Sequence, residues 1–370
     1  MTVGFYSPLP PVRSGIADYS AALLRALPEA RVNTDGDVNL YHLGNNQLHA
    51  PIYAKALARP GVIVLHDAVL QHFALGYFSY EQYVPEFVYN YGEWNRELAE
   101  SLWKNRGRSA GDSQYFRYPM LRRIVERSLR VIVHNPAAAA IVRAHCPEAR
   151  IVEIPLLYAP IAVPHAADVE CLRADLGGRC AFGVFGHLRE SKRIMTVLRV
   201  FAKRQDCTLV VGGEMASSDL RRATEPFWSA PNIRRVGYMS LEEYWRYALA
   251  VDVCINLRYP AAGETSAISV THMGAGKAVM MTDSDENARF PDGTCIKISS
   301  GLSEAAELAG LTEWACDHKL KLREIGANAA RFIESNHRID KVAGLYRQAL
   351  DQCDNSGLRP GGIDAIDTTG

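Results

Sequence analysis

Residues 181–201 read Ala181-Phe-Gly-Val-Phe185-Gly186-His187-Leu-Arg-Glu-Ser191-Lys192-Arg193-Ile-Met-Thr-Val-Leu-Arg-Val-Phe201. A short apolar run, Ala181–Phe185, ends in glycine and a polar turn, and a helical pattern follows. The same unit recurs along the chain. Strands are predicted at Val3–Tyr6, Val38–His42, Val62–His66, Val131–His134 and Ile151–Ile154, then at Ala181–Phe185, Thr208–Val211, Ile233–Val236, Val253–Asn256 and Ala278–Thr282. Helical patterns follow most of them, and two more, at Lys319–Glu334 and about Lys341–Gln352, close the series. Alternation of this kind means parallel strands with crossover helices, an α/β fold. Pro155, Pro160 and Pro164 interrupt it with a mostly apolar, extended stretch that reads as a linker. The expected organisation is a Rossmann-like domain over 1–158 with an aromatic and basic insertion at about 72–130, a linker over 159–178, a second Rossmann-like domain over 179–335, a crossing helix over 336–353 and a flexible tail over 354–370.

Composition narrows the function classes. The 370 residues carry 41 Lys+Arg against 41 Asp+Glu, which excludes a globally basic nucleic-acid coat and an acidic tail protein. With 48% apolar and 22% charged residues the chain is ordinarily globular, and its length suits two domains. Eight scattered cysteines with no C-x-x-C pair suggest reduced, cytosolic usage rather than a disulfide frame or a zinc site. The start, Met-Thr-Val-Gly-Phe-Tyr, lacks a signal-peptide pattern, and no stretch approaches the roughly 18 apolar residues that span a bilayer. A cytoplasmic protein is expected, at most peripheral on the inner face of the cell membrane.

Ligands of open α/β sheets bind outside the carboxyl ends of the strands. In the first half those ends deliver Ser14-Gly15, Gly44-Asn45-Asn46, His66-Asp67 and His134-Asn135; in the second, Gly186-His187 with Lys192, Gly212-Gly213-Glu214, Gly237-Tyr238-Met239 and Gly263-Glu264-Thr265-Ser266. These polar groups are expected to converge on one cleft. Lys192 beside a helix start is unfavourable for the helix dipole and needs a reason, for which an anion is one and a solvated Lys-Arg pair the other. Thr265 and Ser266 can cap the next helix, and its free amides can hold a phosphate; a plain cap with Glu264 as a first-turn acid is the alternative. His66 reads equally as a cleft donor or a satisfied core histidine. Asp283-Ser284-Asp285 matches a short metal-binding pattern but reads better as a solvated turn, and no other spacing suggests a metal. No G-x-G-x-x-G follows a strand and no P-loop occurs, which argues against dinucleotide and ATP enzymes.

Residues 77–118 hold 12 aromatics, and residues 104–130 hold eight Lys/Arg against two acids, a local charge of +6. Aromatic and basic helices of this kind suit an anionic membrane surface or a phosphorylated acceptor, or else an aromatic core beneath solvated arginines.

Five stretches in this order are similar to a known family: Phe5-Tyr6-Ser-Pro-Leu-Pro…Ser14-Gly15-Ile-Ala-Asp-Tyr, Tyr41-His-Leu-Gly-Asn45-Asn46…His49, Pro60-Gly-Val-Ile-Val-Leu-His66-Asp67, Phe185-Gly-His-Leu-Arg-Glu-Ser-Lys192-Arg193-Ile, and Asn256-Leu-Arg-Tyr-Pro-Ala-Ala-Gly263-Glu264-Thr-Ser. Through them the chain resembles the retaining GT-B glycosyltransferases of the bacterial group that includes mannosyl- and glucosyltransferases of cell-envelope polysaccharides. The resemblance implies two facing Rossmann-like domains with parallel sheets, a C-terminal helix returning toward the first, and transfer of a hexose from a UDP- or GDP-sugar to a polysaccharide, lipid-linked or glycan acceptor, without cofactor or metal. His66, Lys192 and Glu264 would be catalytic. Gly15, His187, Lys192, Gly237, Tyr238, Met239, Glu264, Thr265, Ser266, Ala267 and Thr271 would meet the donor, and Asn45, Asn46, Asp67, His134 and Arg117 the acceptor side.

Three positions depart from the family pattern. His187 stands where an arginine is usual; the second glutamate of the pair, which holds the ribose, is replaced by His272 or Thr271 depending on the anchor; and Arg289 stands where many members have a glutamate. A glycosyltransferase-like binding subunit without catalysis is therefore an alternative, as is a GT-B sugar-nucleotide epimerase. Peripheral contact with an anionic membrane is a further expectation; nucleic acid is not an expected partner.

Overall fold

Buried apolar runs assemble into two all-parallel sheets of six strands each. The computed structural model describes residues 1–159 and 164–354. The chain divides into two compact units, one built from Met1–Pro155, Ala262–Glu264 and the chain from Ile339 onward, the other from Leu156–Ala261 and Thr265–Arg338.

In the first unit the strands are β1 (Val3–Tyr6), β2 (Ala30–Val32), β3 (Val38–Leu43), β4 (Val62–Leu65), β5 (Arg130–Val133) and β6 (Ile151–Glu153), in the order β2-β1-β3-β4-β5-β6. Every residue of β1, β3 and β4 is buried, as parallel strands covered on both faces require. In the second unit β7 (Ala181–Phe185), β8 (Thr208–Gly212), β9 (Ile233–Gly237), β10 (Val253–Asn256), β11 (Ala278–Thr282) and β12 (Ile296–Ile298) lie in the order β12-β11-β10-β7-β8-β9. Strand order reverses between β1 and β3 in one sheet and between β7 and β10 in the other, and a doubly wound sheet opens its ligand crevice at such a point. The sequence reading misses β2 and β12, two edge strands of three residues each.

Four helices, Gln71–Tyr77, Tyr80–Tyr91, Arg96–Lys104 and Arg122–Glu126, separate β4 from β5. Their aromatic excess is mostly core: Tyr83, Phe87 and Tyr115 are buried in a cluster with Ala99, Leu102 and Met120. Trp94, 90% exposed, and Tyr80 are the exceptions. The basic stretch is also partly neutralised. Arg122 pairs with Glu126 at 2.8 Å and Arg123 with buried Glu86 at 2.5 Å, while Arg106 lies over the Trp103 ring and both Arg122 and Arg123 over Tyr89.

The helix Ile339–Asp354 belongs to the first unit, where the Tyr346 and Tyr19 hydroxyls are 2.8 Å apart and Arg347 donates to Glu29. The stretch read as a linker, 159–178, is helical over Ala166–Leu176 and belongs to the second unit. Only Leu176 of that helix is buried, so it carries little apolar periodicity to read. Residues 160–163 of that stretch, and the tail beyond Asp354, lie outside the described residues. Among the described residues no helix is long and apolar enough to cross a membrane.

Candidate functional site

The β7/β10 crevice of the second unit is organised around Lys192. After β7 the chain turns at Gly186 (φ 92°), makes a 3-10 turn at Glu190–Lys192, and enters the helix Ile194–Phe201 through left-handed Arg193. Lys192 is 6% exposed, and its ammonium donates to the Phe185 carbonyl at 2.8 Å. A Cβ on residue 186 would sit 3.1 Å from that ammonium, so glycine keeps the cation accessible at the strand end. A buried ammonium acts on a nearby anion through a lower dielectric than water. The pKa of His187 is lowered by partial desolvation of its ring and then by the neighbouring cations Arg189 and Lys192.

Opposite it, β10 ends at Asn256, whose amide donates to the hydroxyls of Ser266 at 2.6 Å and Ser269 at 2.7 Å. Ser266 caps the helix Ala267–Gly274 by accepting from the Ser269 amide, and Arg258 also donates to its hydroxyl. The cap satisfies the Ser269 amide, and the other first-turn amides of a helix are groups of the kind that hold an anion. Ser266 supplies the cap, rather than Thr265, and Ala267 is exposed at the first helical position.

At the ends of β8 and β9 lies a pocket of about 330 Å³ lined by Gly213, Glu214, Met215, Arg221, Arg235, Gly237 and Tyr238. Gly237 (φ 75°) has open space where a Cβ would be, Tyr238 is 55% exposed, and Met239 packs against Gly212, where a Cβ would meet its Cε at 2.3 Å. Asn256 opens one of the family-like stretches but is given no role by the sequence; Arg221, Arg235 and Ser269 are not singled out by motif, and Ser269 is visible only as a polar residue in an apolar run.

Residues 262–264 pack with the first unit: the amides of Ala68 and Val69 donate to the Ala262 carbonyl at 2.7 and 3.0 Å, and Asn135 donates to that of Gly263 at 3.0 Å. Half-buried Glu264 accepts from the Ala262 amide at 2.6 Å.

The first unit gathers three buried histidines at its strand ends and a fourth, His49, in the turn Gln47–His49. His42 of β3 stacks on His66 after β4 with ring centroids 5.3 Å apart, His134 after β5 meets His66 tilted at 5.0 Å, and the Tyr19 ring meets all three. His66 Nε2 bonds His42 Nδ1 at 3.0 Å, and His66 as a residue is 8% exposed. Desolvation, then the neighbouring histidines, hold His66 and His42 well below the ordinary imidazole pKa, and His49 is pushed down to about 4. All three are neutral near pH 7.

The remaining expected residues sit as follows. Gly15 opens the helix Gly15–Ala26 behind its Ser14 cap, with open space where a Cβ would be. Asp67 accepts from the Asn45 amide at 2.7 Å, and the Asn45 side chain bonds His72 and the Phe73 amide, which makes Asn45 a loop brace. Asn46 caps a short turn by accepting from the Leu48 amide. His134 Nδ1 bonds the Ile154 carbonyl, and Arg117 is exposed. Thr271 is half-buried, while His272 is fully buried, stacked on Phe185 with both ring nitrogens unpartnered. Asp283 and Asp285 stand exposed.

No protein-family model and no curated protein sequence matches the chain. Solved structures do. The chain is similar to a sucrose-phosphate synthase from Thermosynechococcus elongatus (TM-score 0.69, 14% identity, 95% of this chain and 99% of that one). It is also similar to Anabaena HepE, solved with UDP and glucose (0.63, 12%, 95% and 99%), and to WaaG, a glycosyltransferase of lipopolysaccharide biosynthesis (0.61, 14%, 96% and 100%). At these identities the likeness is one of fold. The chain has the two-sheet α/β GT-B fold of these glycosyltransferases.

Proposed function

We propose that this GT-B chain is a glycosyltransferase that moves a hexose from a nucleoside diphosphate sugar to an acceptor hydroxyl, with retention of configuration and without a metal. The observation that carries this reading is the Lys192 ammonium, 6% exposed, at the β7/β10 crevice beside the start of the Ser266-capped helix. As the C1–O bond to the β-phosphate breaks, negative charge grows on the leaving diphosphate, and a fixed ammonium with helix-end amides stabilises that charge more than the ground state. This is the electrostatic work a metal does in other transferases. The acceptor oxygen bonds C1 on the same face, and its proton passes to the departing phosphate oxygen, so no side-chain nucleophile is needed.

Glu264 and His66 would hold donor-sugar hydroxyls, with Gly15 letting its loop approach. Gly237, Tyr238 and Met239 would frame the base, with His187, Thr265 and Ala267 around the phosphates and sugar. The HepE complexes, solved with UDP and with UDP-glucose, favour uridine as the first nucleotide to test. Exposed Arg117 and Trp94 favour a glycan or lipid-linked acceptor with an anionic part.

The test is donor turnover by Lys192→Ala and Glu264→Ala, each with its far-UV circular dichroism checked. Loss of one such charge-stabilising contact costs about 10²–10³ in rate. Near wild-type turnover in either folded variant overturns the assignment. Donor binding with no hydrolysis or transfer in the wild type would instead establish a non-catalytic binding subunit, the reading that His187 and the core position of His272 favour.

A further inference from the structure

Cys207 and Cys316 are 109 residues apart in sequence, yet their sulfurs are 3.2 Å apart. Cys207 lies just before β8 and Cys316 near the end of the helix Glu304–Asp317, so the pair sits at the amino-terminal edge of the second sheet, away from the strand ends where Lys192 stands. Both side chains are buried, and Asp206 beside them is exposed. Among the described residues this is the one set of three His, Cys, Asp or Glu donors whose ligand atoms all fall within 4.8 Å of one another. We propose that Asp206, Cys207 and Cys316 hold one thiophilic divalent cation of the zinc class, at a site separate from sugar transfer.

The chemistry of the set supports this in three ways. Two thiolates and a carboxylate are a zinc donor set, with a water as fourth ligand. Tetrahedral zinc at about 2.3 Å from each sulfur needs the sulfurs roughly 3.8 Å apart. A disulfide needs them about 2.05 Å apart, so the present spacing lies nearer the metal geometry. Charge and second-shell bonding also fit: a divalent ion with two thiolates and one carboxylate carries one net negative charge, and two guanidiniums face it. Arg204 bonds Asp206 at 3.1 Å and reaches the Cys207 sulfur at 3.7 Å, and Arg179 bonds Asp206 at 3.1 Å. Such outer donors orient ligating groups. Arg179 also pairs with Glu313 and Asp317, on the helix that carries Cys316, which ties the set to both elements. Binding releases two thiol protons to solvent as two metal–sulfur bonds form, so affinity rises with pH.

The test titrates the reduced full-length chain with Zn²⁺ and with Cd²⁺, reading stoichiometry by equilibrium dialysis and thiolate coordination by cadmium–sulfur charge-transfer absorption. One ion per chain is expected, with a higher thermal midpoint that chelator reverses. Cys207→Ala and Cys316→Ala should each remove the charge-transfer band, Arg204→Ala should weaken binding about 10–100-fold, and Asp206→Asn, which removes a ligand, should weaken it at least as much. Cys171→Ser, at an exposed cysteine elsewhere, should change nothing. Asp206 is exposed, so its variant reports even where a core cysteine variant fails to fold. No uptake by the reduced chain, or uptake unchanged in Asp206→Asn and Cys316→Ala, overturns the site; so does isolation of a Cys207–Cys316 disulfide in a chain that takes up no metal after reduction. None of these outcomes depends on whether the protein transfers sugar.

Discussion

His272 offers a quantitative test of how the second unit is built. Its imidazole is fully buried, lies 5.2 Å from the Phe185 ring at 19°, and neither nitrogen has a partner. Desolvation, aided by Lys277, pushes its pKa down to about 3 from 6.5. A depressed histidine contributes stability that is intact above 6.5 and lost as pH falls toward 3, because below 6.5 the unfolded chain takes up a proton that the folded chain refuses. Each pH unit in that window costs about 1.4 kcal/mol, and between pH 7 and pH 5 the loss from this one residue integrates to about 2 kcal/mol. In His272→Leu the proton site is gone and two buried unpaired nitrogens go with it. The variant should therefore be at least as stable as wild type at pH 7, since an unsatisfied buried polar group costs about 1–3 kcal/mol. Its pH 5 loss should be smaller by about 2 kcal/mol. Urea unfolding of both proteins at the two pH values measures this directly. Equal acid losses in the two proteins would refute the argument, and a large drop in nucleotide affinity would refute the claim that this position faces the core and not a ribose.

Three further outcomes follow from single positions. Gly263→Ala forces a side chain onto φ 73° with its Cβ 2.7 Å from that of Ala68, and a loss of about 1–3 kcal/mol is expected as a lowered thermal midpoint. Phe87→Ala empties the centre of the helical insertion and should cost about 3–5 kcal/mol by chemical denaturation. Asn256→Ala strips the donor from two buried serine hydroxyls, for about 1–3 kcal/mol, and should weaken nucleoside diphosphate binding in calorimetry by loosening the helix start.

The central strands are legible because burial on both faces makes them continuous apolar runs: Ala181–Phe185, Val253–Asn256 and Ala278–Thr282 are read to the residue. The edges are not. Ala30–Val32 and Ile296–Ile298 each pair on one side only, are three residues long and hold Arg31 and Lys297 in the middle. Lys192 is legible as a cation at a strand-to-helix turn, because the helix dipole makes its presence there anomalous. His272 shows the limit of counting along a helix. A count from Glu264 reaches it as a site position, but the turn of the helix carries it inward onto Phe185. The pairing of Cys207 with Cys316, or of Tyr19 with Tyr346 across 327 residues, is a product of tertiary closure and leaves no local pattern.

The turn that presents Lys192 has its own support, and this can be separated from simple loss of stability. Arg193, left-handed at φ 56°, pairs at 2.8 Å with Glu304, whose side chain is 2% exposed. A non-glycine residue in that conformation persists only where its surroundings over-determine it. Removing Arg193 leaves the buried Glu304 carboxylate without its counterion and is expected to cost about 3–5 kcal/mol, removing Glu304 leaves a one-third exposed guanidinium and should cost less, and replacing both by apolar groups of similar size is often neutral. Arg193→Met and Glu304→Leu should therefore each destabilise more than the double variant, a double-mutant cycle with positive coupling. If the pair only filled space, the two losses would add. If it also holds the turn, the double variant should recover stability while donor turnover stays reduced, because Lys192 has lost its fixed approach to the crevice; full recovery of both would show that the turn needs no such anchor.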